Sequence, residues 1–165
     1  MTTDFSVELN IFKSVGISII DIIPEKESAE YNACQFTTAD QRKMLFRKSK
    51  ITPTKNGQFV TLWKREGAGP IEPFSQADNI SSVIVRVENE AHSGYFIFPV
   101  SVLCTQKIFT ANGKEGKRAF RVYPPWDIPE SRQATTTQKW QLLYFVPTKN
   151  NTFSDIDTVF ELFSR

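Results

Sequence analysis

Histidine and cysteine are scarce in this sequence. Its 165 residues include one histidine, His92, and two cysteines, Cys34 and Cys104, which stand far apart along the chain. Structural zinc sites and histidine-based catalytic triads need more of these side chains, so the sequence argues against both kinds of site. Two isolated cysteines in a chain long enough to fold without cross-links are typical of reduced thiols in a cytosolic protein.

Long apolar segments are also missing. The chain has no run of about 18 apolar residues, which argues against a transmembrane helix. The opening residues MTTDFSVELNIF carry acidic side chains and lack the basic start and apolar centre of a signal peptide. The sequence therefore predicts a cytoplasmic protein that makes no contact with a membrane.

Acidic residues are absent from residues 41–65, which we call the first basic segment. Residues 106–149, the second basic segment, hold eight basic residues against three acidic ones, whereas residues 1–40 hold seven acidic residues against two basic ones. If the two basic segments meet in the fold, they form a positive surface suited to an anionic partner. If they stay apart, they are separate solvated faces. The basic residues of the first segment are Arg42, Lys43, Arg47, Lys48, Lys50, Lys55, Lys64 and Arg65.

Hydrophobic periodicity predicts a single mixed α/β domain over residues 1–165, with a mixed β-sheet flanked by helices. Residues 31–36, 43–49 and 57–65 are short strand candidates separated by turns, the second marked by Pro53 and Asn56-Gly57, which favours an antiparallel meander. Further strands are expected at 81–88, 94–99 and 119–123. Helical spacing of apolar residues predicts helices at 4–15, 131–145 and 153–165, the second with Ser131 as its N-cap.

The strand candidate 57–65 combines basic and aromatic residues. Alternation places Phe59, Thr61, Trp63 and Arg65 on one side of it, and the preceding strand ends in FRKSK near the same rim. Lysine and arginine pair with phosphates, and aromatic rings stack on unpaired bases. The pattern therefore favours a groove for DNA or RNA, with a preference for single strands. The predicted nucleic-acid-binding residues are Arg47, Lys48, Lys50, Lys55, Lys64, Arg65, Lys117, Arg118, Arg121, Trp126 and Lys139.

Catalytic machinery is much less evident than the basic surface. Neither a phosphate-binding P-loop nor a GxSxG nucleophile motif is present. What remains is the combination of carboxylate and lysine that magnesium-dependent nucleases use, for which Glu30, Glu72 and Lys64 are the candidates. The sequence predicts no metal-ligand motif and no cofactor, although Mg²⁺ would be needed if the protein were a nuclease.

Several motifs resemble those of the MepB family of small bacterial proteins. They are ESAEYNACQF, FRKSKITPTKNGQFVTLWKR, GPIEPF, GYFIFPVSVL, EGKRAFRVYPPWD and TQKWQLLYF, which run in order over residues 27–145. The resemblance implies a restriction-endonuclease-like (PD-(D/E)XK) fold and nucleic-acid binding. That fold normally holds magnesium with an acid on one strand and Glu/Asp-x-Lys on the next. Here FRKSK contains no acid and none stands two residues before Lys64, while residues 148–165 look like a helical extension.

The sequence thus favours a nucleic-acid-binding protein that lacks efficient catalysis. One alternative is a divergent metal-dependent nuclease that uses Glu30, Glu72 and a lysine. A second is a protein-interaction module whose cations meet an acidic partner. The sequence does not indicate the oligomeric state.

Overall fold

Four α-helices and twelve β-strands are present in residues 4–165, the part of the chain that this computed structural model describes. The helices are α1 (Ser6–Ser14), α2 (Val100–Thr105), α3 (Arg132–Gln141) and α4 (Ile156–Phe163). The strands are β1 (Ile19–Pro24), β2 (Cys34–Thr38), β3 (Lys43–Lys48), β4 (Lys50–Ile51), β5 (Gln58–Thr61), β6 (Trp63–Arg65), β7 (Ile71–Pro73), β8 (Ser82–Glu88), β9 (Ser93–Pro99), β10 (Ala119–Val122), β11 (Phe145–Lys149) and β12 (Thr152–Phe153).

Local sequence signals account for the helix ends. Ser131, the predicted N-cap, accepts a hydrogen bond at its hydroxyl from the Ala134 amide at 3.0 Å, as an N-cap side chain should. Asp155 caps α4 in the same way by accepting from the Thr158 amide at 3.1 Å. Within residues 4–165, no helix has both the length and the apolar character needed to span a membrane.

A seven-stranded sheet forms the centre of the molecule. Its strand order is β1-β2-β3-β8-β9-β11-β12, and every neighbouring pair is antiparallel except β3 and β8, which are parallel. Helices lie on both faces of this sheet. Alternate residues of the central strands point to opposite sides, and both sides carry buried apolar residues that the helices cover. Met44 and Phe46 pack with α1 and α4, whereas Leu45 packs with α2 and the small sheets. The predicted mixed α/β domain with a mixed, helix-flanked sheet is confirmed.

The expected meander of residues 31–36, 43–49 and 57–65 is wrong in its last step. Strand β3 pairs with β2 and β8, whereas β5 belongs to a separate three-stranded sheet of order β10-β5-β4. The predicted strand 57–65 also breaks at Leu62, so that β6 pairs with β7 in a two-stranded sheet. The apolar strand β8 takes the place beside β3, because it buries both of its faces there.

The C-terminal segment 148–165 contains more than a helix. It supplies the end of β11, the short strand β12 and helix α4. Phe153, Val159, Leu162 and Phe163 are buried in the cluster formed with α1. The segment is therefore an integral part of the core in this fold.

Arg47 was expected at a basic rim, and the structure corrects that expectation. Its side chain is fully buried, and its guanidinium forms two bonds to the Glu25 carboxylate, at 2.5 and 3.2 Å. It also donates to the carbonyls of Thr61, at 3.0 Å, and Phe46, at 2.8 Å. Because four of its five N–H donors bond to protein acceptors, Arg47 is a structural residue that joins β3 to β5 and to the segment after β1.

Replacement of Arg47 by methionine should strongly destabilise the fold, because it leaves Glu25 and two carbonyls without their donor. We expect a loss of about 3–5 kcal/mol in the free energy of unfolding. Urea unfolding followed by circular dichroism would measure it. Arg65→Met is the matched control, since the more exposed Arg65–Glu27 pair should contribute about 1 kcal/mol at most. Equal losses in the two variants would contradict the structural role of Arg47.

Candidate functional site

The two basic segments meet at strand β5. Phe59 lies opposite Lys50 of β4 on one side and opposite Arg121 of β10 on the other. Side chains that are directly opposite in antiparallel strands project from the same face of a sheet. Lys50, Phe59 and Arg121 therefore form one row, and with Tyr31 they make up what we call the cationic sheet face. The two basic segments therefore meet in the fold, as a common positive surface requires.

Cations and aromatic rings alternate along the cationic sheet face. The Lys50 Nζ atom lies 4.7 Å from the centre of the Tyr31 ring, and the Arg121 guanidinium carbon lies 5.6 Å from the centre of the Phe59 ring. The two ring centres are 6.5 Å apart. Tyr31 is buried, Phe59 and Arg121 are half-buried, and Lys50 is exposed. The face thus offers solvent two positive groups and the ring between them.

The turn between β4 and β5 fixes the position of Arg121. The Arg121 guanidinium donates to the Asn56 carbonyl at 3.2 Å and to the Thr52 hydroxyl at 2.9 Å, and both acceptors belong to this turn. Gly57 has a φ of +77°, and an added Cβ would lie 2.6 Å from the Tyr123 ring, so only glycine fits there without rearrangement. The Asn56-Gly57 turn predicted from the sequence is confirmed, and it prepositions one cation of the face.

Half of the ten predicted binding cations are ion-paired inside the molecule. Besides the Arg47–Glu25 pair, Lys48 contacts Glu88 at 2.8 Å. The other pairs are Lys64 with Asp78 at 2.7 Å and with Glu72 at 3.5 Å, Arg65 with Glu27 at 2.5 Å, and Arg118 with Glu115 at 3.2 Å. Acidic residues of segments 1–40 and 66–105 therefore neutralise four of these five cations, and Glu115 of the second basic segment pairs with the fifth. Such cations are less available to a phosphate than their number in the sequence suggests.

The other five predicted cations have no carboxylate partner within the described residues. They are Lys50, Lys55, Lys117, Arg121 and Lys139. Lys50 and Arg121 lie on the cationic sheet face, and Lys55 is exposed on its β4–β5 turn. Lys117 and Arg121 line a neighbouring groove of about 350 Å³, together with Gln133 of α3. Lys139 is exposed on α3 and does not line this groove.

The tryptophans are not on the cationic sheet face. Trp126, predicted to stack on a base, is instead stacked on His92 with ring centres 5.2 Å apart, and its edge meets Phe145 at 5.9 Å. Trp63 is half-buried and donates its indole N–H to Glu27 at 3.2 Å. Phe59 and Tyr31 occupy the aromatic positions of the face. Sequence reasoning placed Phe59 on the correct side of its strand but could not distinguish it from a core phenylalanine.

The three candidate catalytic residues do not come together. Glu72 reaches Lys64 across the β6–β7 hairpin, but Lys64 makes its shorter contact with Asp78, which raises the pKa of the ammonium group. Glu30 is exposed in the 3-10 turn Ala29–Tyr31 and bonds to neither of them in the described part of the chain. No group of three or more histidine, cysteine or acidic side chains within residues 4–165 is arranged to hold a metal ion.

Comparison with known proteins gives a specific match. Residues 25–147 match the model of the MepB-like family. The fold is similar to a crystal structure of MepB with a TM-score of 0.77 and 33% sequence identity, over 89% of this chain and 99% of that chain. No match was found among curated proteins. The matched range contains every residue of the cationic sheet face.

We expect the protein to leave nucleic acids intact in the presence of Mg²⁺ or Mn²⁺. Nucleases of the two-metal type hold their ions about 4 Å apart with converging carboxylates, whereas Glu72 is paired with Lys64 and Glu30 lies elsewhere. Gel analysis of single- and double-stranded DNA and RNA would test this expectation.

The variants Glu30→Ala and Glu72→Ala, with the exposed Glu66→Ala as control, give the test its specificity. Metal-dependent cutting that disappears in Glu30→Ala or Glu72→Ala but not in Glu66→Ala would make the protein an enzyme. Cutting that is the same in all variants would indicate a contaminating nuclease.

Proposed function

This chain belongs to the MepB-like family, and we propose that it binds single-stranded nucleic acid through the cationic sheet face. The family membership predicted from the sequence motifs is confirmed. The observation that carries the proposal is the row formed by Lys50, Phe59 and Arg121, in which a half-buried ring lies between two cations that have no carboxylate partner among the described residues.

The chemistry of this row fits a polynucleotide with unpaired bases. Bases stack on aromatic side chains, which contributes roughly 1–3 kcal/mol for each base, and lysine and arginine neutralise the phosphates on either side. A duplex hides its base faces and would use only the cations. An acidic protein partner would also use the cations but would gain little from Phe59. The alternation of cation and ring therefore favours a single strand over both.

Three finer assignments belong to the same proposal: the relationship of the fold, the absence of cleavage and the location in the cell. The antiparallel β1–β2–β3 arrangement with the parallel neighbour β8 supports a relationship to the restriction-endonuclease-like fold. The strands β2 and β3 contain no acid, so the proposal assigns binding without cleavage. A cytoplasmic location agrees with the two cysteines, which are both free thiols.

Binding should depend on salt, but only moderately, because half of the predicted binding cations are ion-paired within the protein. With Lys50, Lys55, Lys117 and Arg121 as phosphate contacts, the logarithm of the association constant should fall against the logarithm of salt concentration with a slope of about −3. Fluorescence anisotropy of a labelled oligonucleotide at several salt concentrations would measure the slope. Absence of binding at low salt would refute the proposed function.

Lys50→Glu should weaken binding roughly tenfold at low salt. It should also make the salt dependence less steep, by the amount that one phosphate contact contributes, and both effects should be the same for all base sequences. The matched control is Lys13→Glu, which makes the same charge change at an exposed position on α1. If the two variants lost the same affinity, binding would reflect total charge and not this face.

Phe59→Leu should reduce affinity for single strands by about tenfold, because it removes a stacking surface while leaving the cations. Duplex affinity should change little, so the single-strand preference of the wild type should disappear. Phe160→Leu is the control, since Phe160 is 43% exposed on α4 and outside the face. Both proteins would be checked for folding by circular dichroism. An unchanged single-strand preference in Phe59→Leu would rule out stacking on this ring.

A further inference from the structure

A second candidate site is lined by residues 25–27, a few positions before Tyr31 of the cationic sheet face. It is a cleft of about 530 Å³ between the β6–β7 hairpin and the β1 edge of the seven-stranded sheet. This volume is within the range of about 300–1,000 Å³ that is typical of small-molecule sites. Ile23 and Gln35 are opposite each other across β1 and β2, so they share the sheet face that forms one wall. Trp63 of β6 lines the other.

The Trp63 ring is held in position by a carboxylate. Glu27 accepts from the Trp63 indole N–H at 3.2 Å and from the Arg65 guanidinium at 2.5 Å. Arg65 is held in turn by donation to the Gly69 carbonyl at 2.9 Å. Because the N–H edge is fixed to Glu27 while the half-buried side chain lines the cleft, the indole can act as a rigid stacking surface.

Two cations that line the cleft have no acidic partner within residues 4–165. All three acids that line it already have basic partners, since Glu25 binds Arg47, Glu27 binds Arg65, and Asp78 binds Lys64. Lys26 and Lys43 also line the cleft, are exposed, and have no ion-pair partner within residues 4–165. Their ammonium groups are free to meet an anion at the mouth of the cleft.

We propose that this cleft binds a nucleoside monophosphate, with the base against Trp63 and the phosphate between Lys26 and Lys43. The Gln35 side-chain amide lines the same cleft and makes no side-chain hydrogen bond in the described chain, so both its donor and its acceptor are available to the edge of a base. The floor is apolar, because Phe74 and Ile80 are buried beneath the opening.

The same chemistry could come from a free nucleotide or from the phosphorylated end of a strand. Isothermal titration with adenosine monophosphate, adenosine and inorganic phosphate tests the free form. Oligonucleotides with and without a 5′-phosphate test the strand end. We expect saturable binding of the monophosphate or of the phosphorylated end, and weaker binding of adenosine and phosphate alone.

Variants separate the contributions of the ring and the cations. Trp63→Leu should weaken monophosphate binding about tenfold, whereas Trp126→Leu should not. In the double variant Lys26→Gln and Lys43→Gln, the advantage of the monophosphate over adenosine should disappear, with Lys13→Gln and Lys149→Gln as a matched control. Wild-type protein that binds neither the monophosphate nor the phosphorylated end at 1 mM (on the order of the weakest specific affinities) would overturn the proposal, as would binding that Trp63→Leu leaves unchanged.

This result can be distinguished from the outcome for the cationic sheet face. The cleft variants should leave affinity for an oligonucleotide without a 5′-phosphate as it is in the wild type. Conversely, Lys50→Glu and Phe59→Leu should leave binding of the monophosphate unchanged. Either site can therefore fail while the other stands.

Discussion

The buried ion pair between Arg47 and Glu25 is the interaction on which both candidate sites depend. A guanidinium removed from water is tolerated only when its donors are satisfied, and here Glu25 and the carbonyls of Thr61 and Phe46 satisfy them. The pair fixes β5 of the small sheet against β3 of the large one. It also fixes the segment that follows β1. Arg47 thus helps to position both β5, which carries Phe59, and residues 25–31.

Residues 25–31 contribute to both candidate sites. Residues 25–27 line the cleft, whereas Tyr31 meets Lys50 and Phe59 on the cationic sheet face. Between them, the Thr61 hydroxyl donates to the Ser28 hydroxyl at 2.6 Å, a second tie between this segment and β5. A short irregular segment can hold functional groups accurately when rigid strands anchor it in this way. The two surfaces therefore share a scaffold although their ligand groups differ.

Charge segregation along the chain serves folding, because acids from one part of the sequence pair with cations from another. Residues 1–40 provide Glu25 and Glu27, residues 66–105 provide Asp78 and Glu88, and each of these acids neutralises a cation of the first basic segment. On the cationic sheet face, the cations left for an external anion are Lys50 and Arg121, each set beside an aromatic ring. For such a surface, long-range attraction would contribute less to the binding free energy than it does for a strongly basic surface. Contact with the aromatic rings would contribute more.

The sequence by itself determined the fold class, the family, the Ser131 cap and the Asn56-Gly57 turn, because each follows from local spacing or from motifs. The tertiary structure decided which strands pair and which charges remain free. Pairing of β3 with β8 joins residues far apart in the chain and is selected by burial on both faces of the large sheet. Pairing of β5 with β10 in the three-stranded sheet also joins distant parts of the chain. Arg47 and Lys50 look equivalent in FRKSK, yet one is buried against Glu25 and the other is exposed. Only the fold brings the carboxylate to one of them and not to the other.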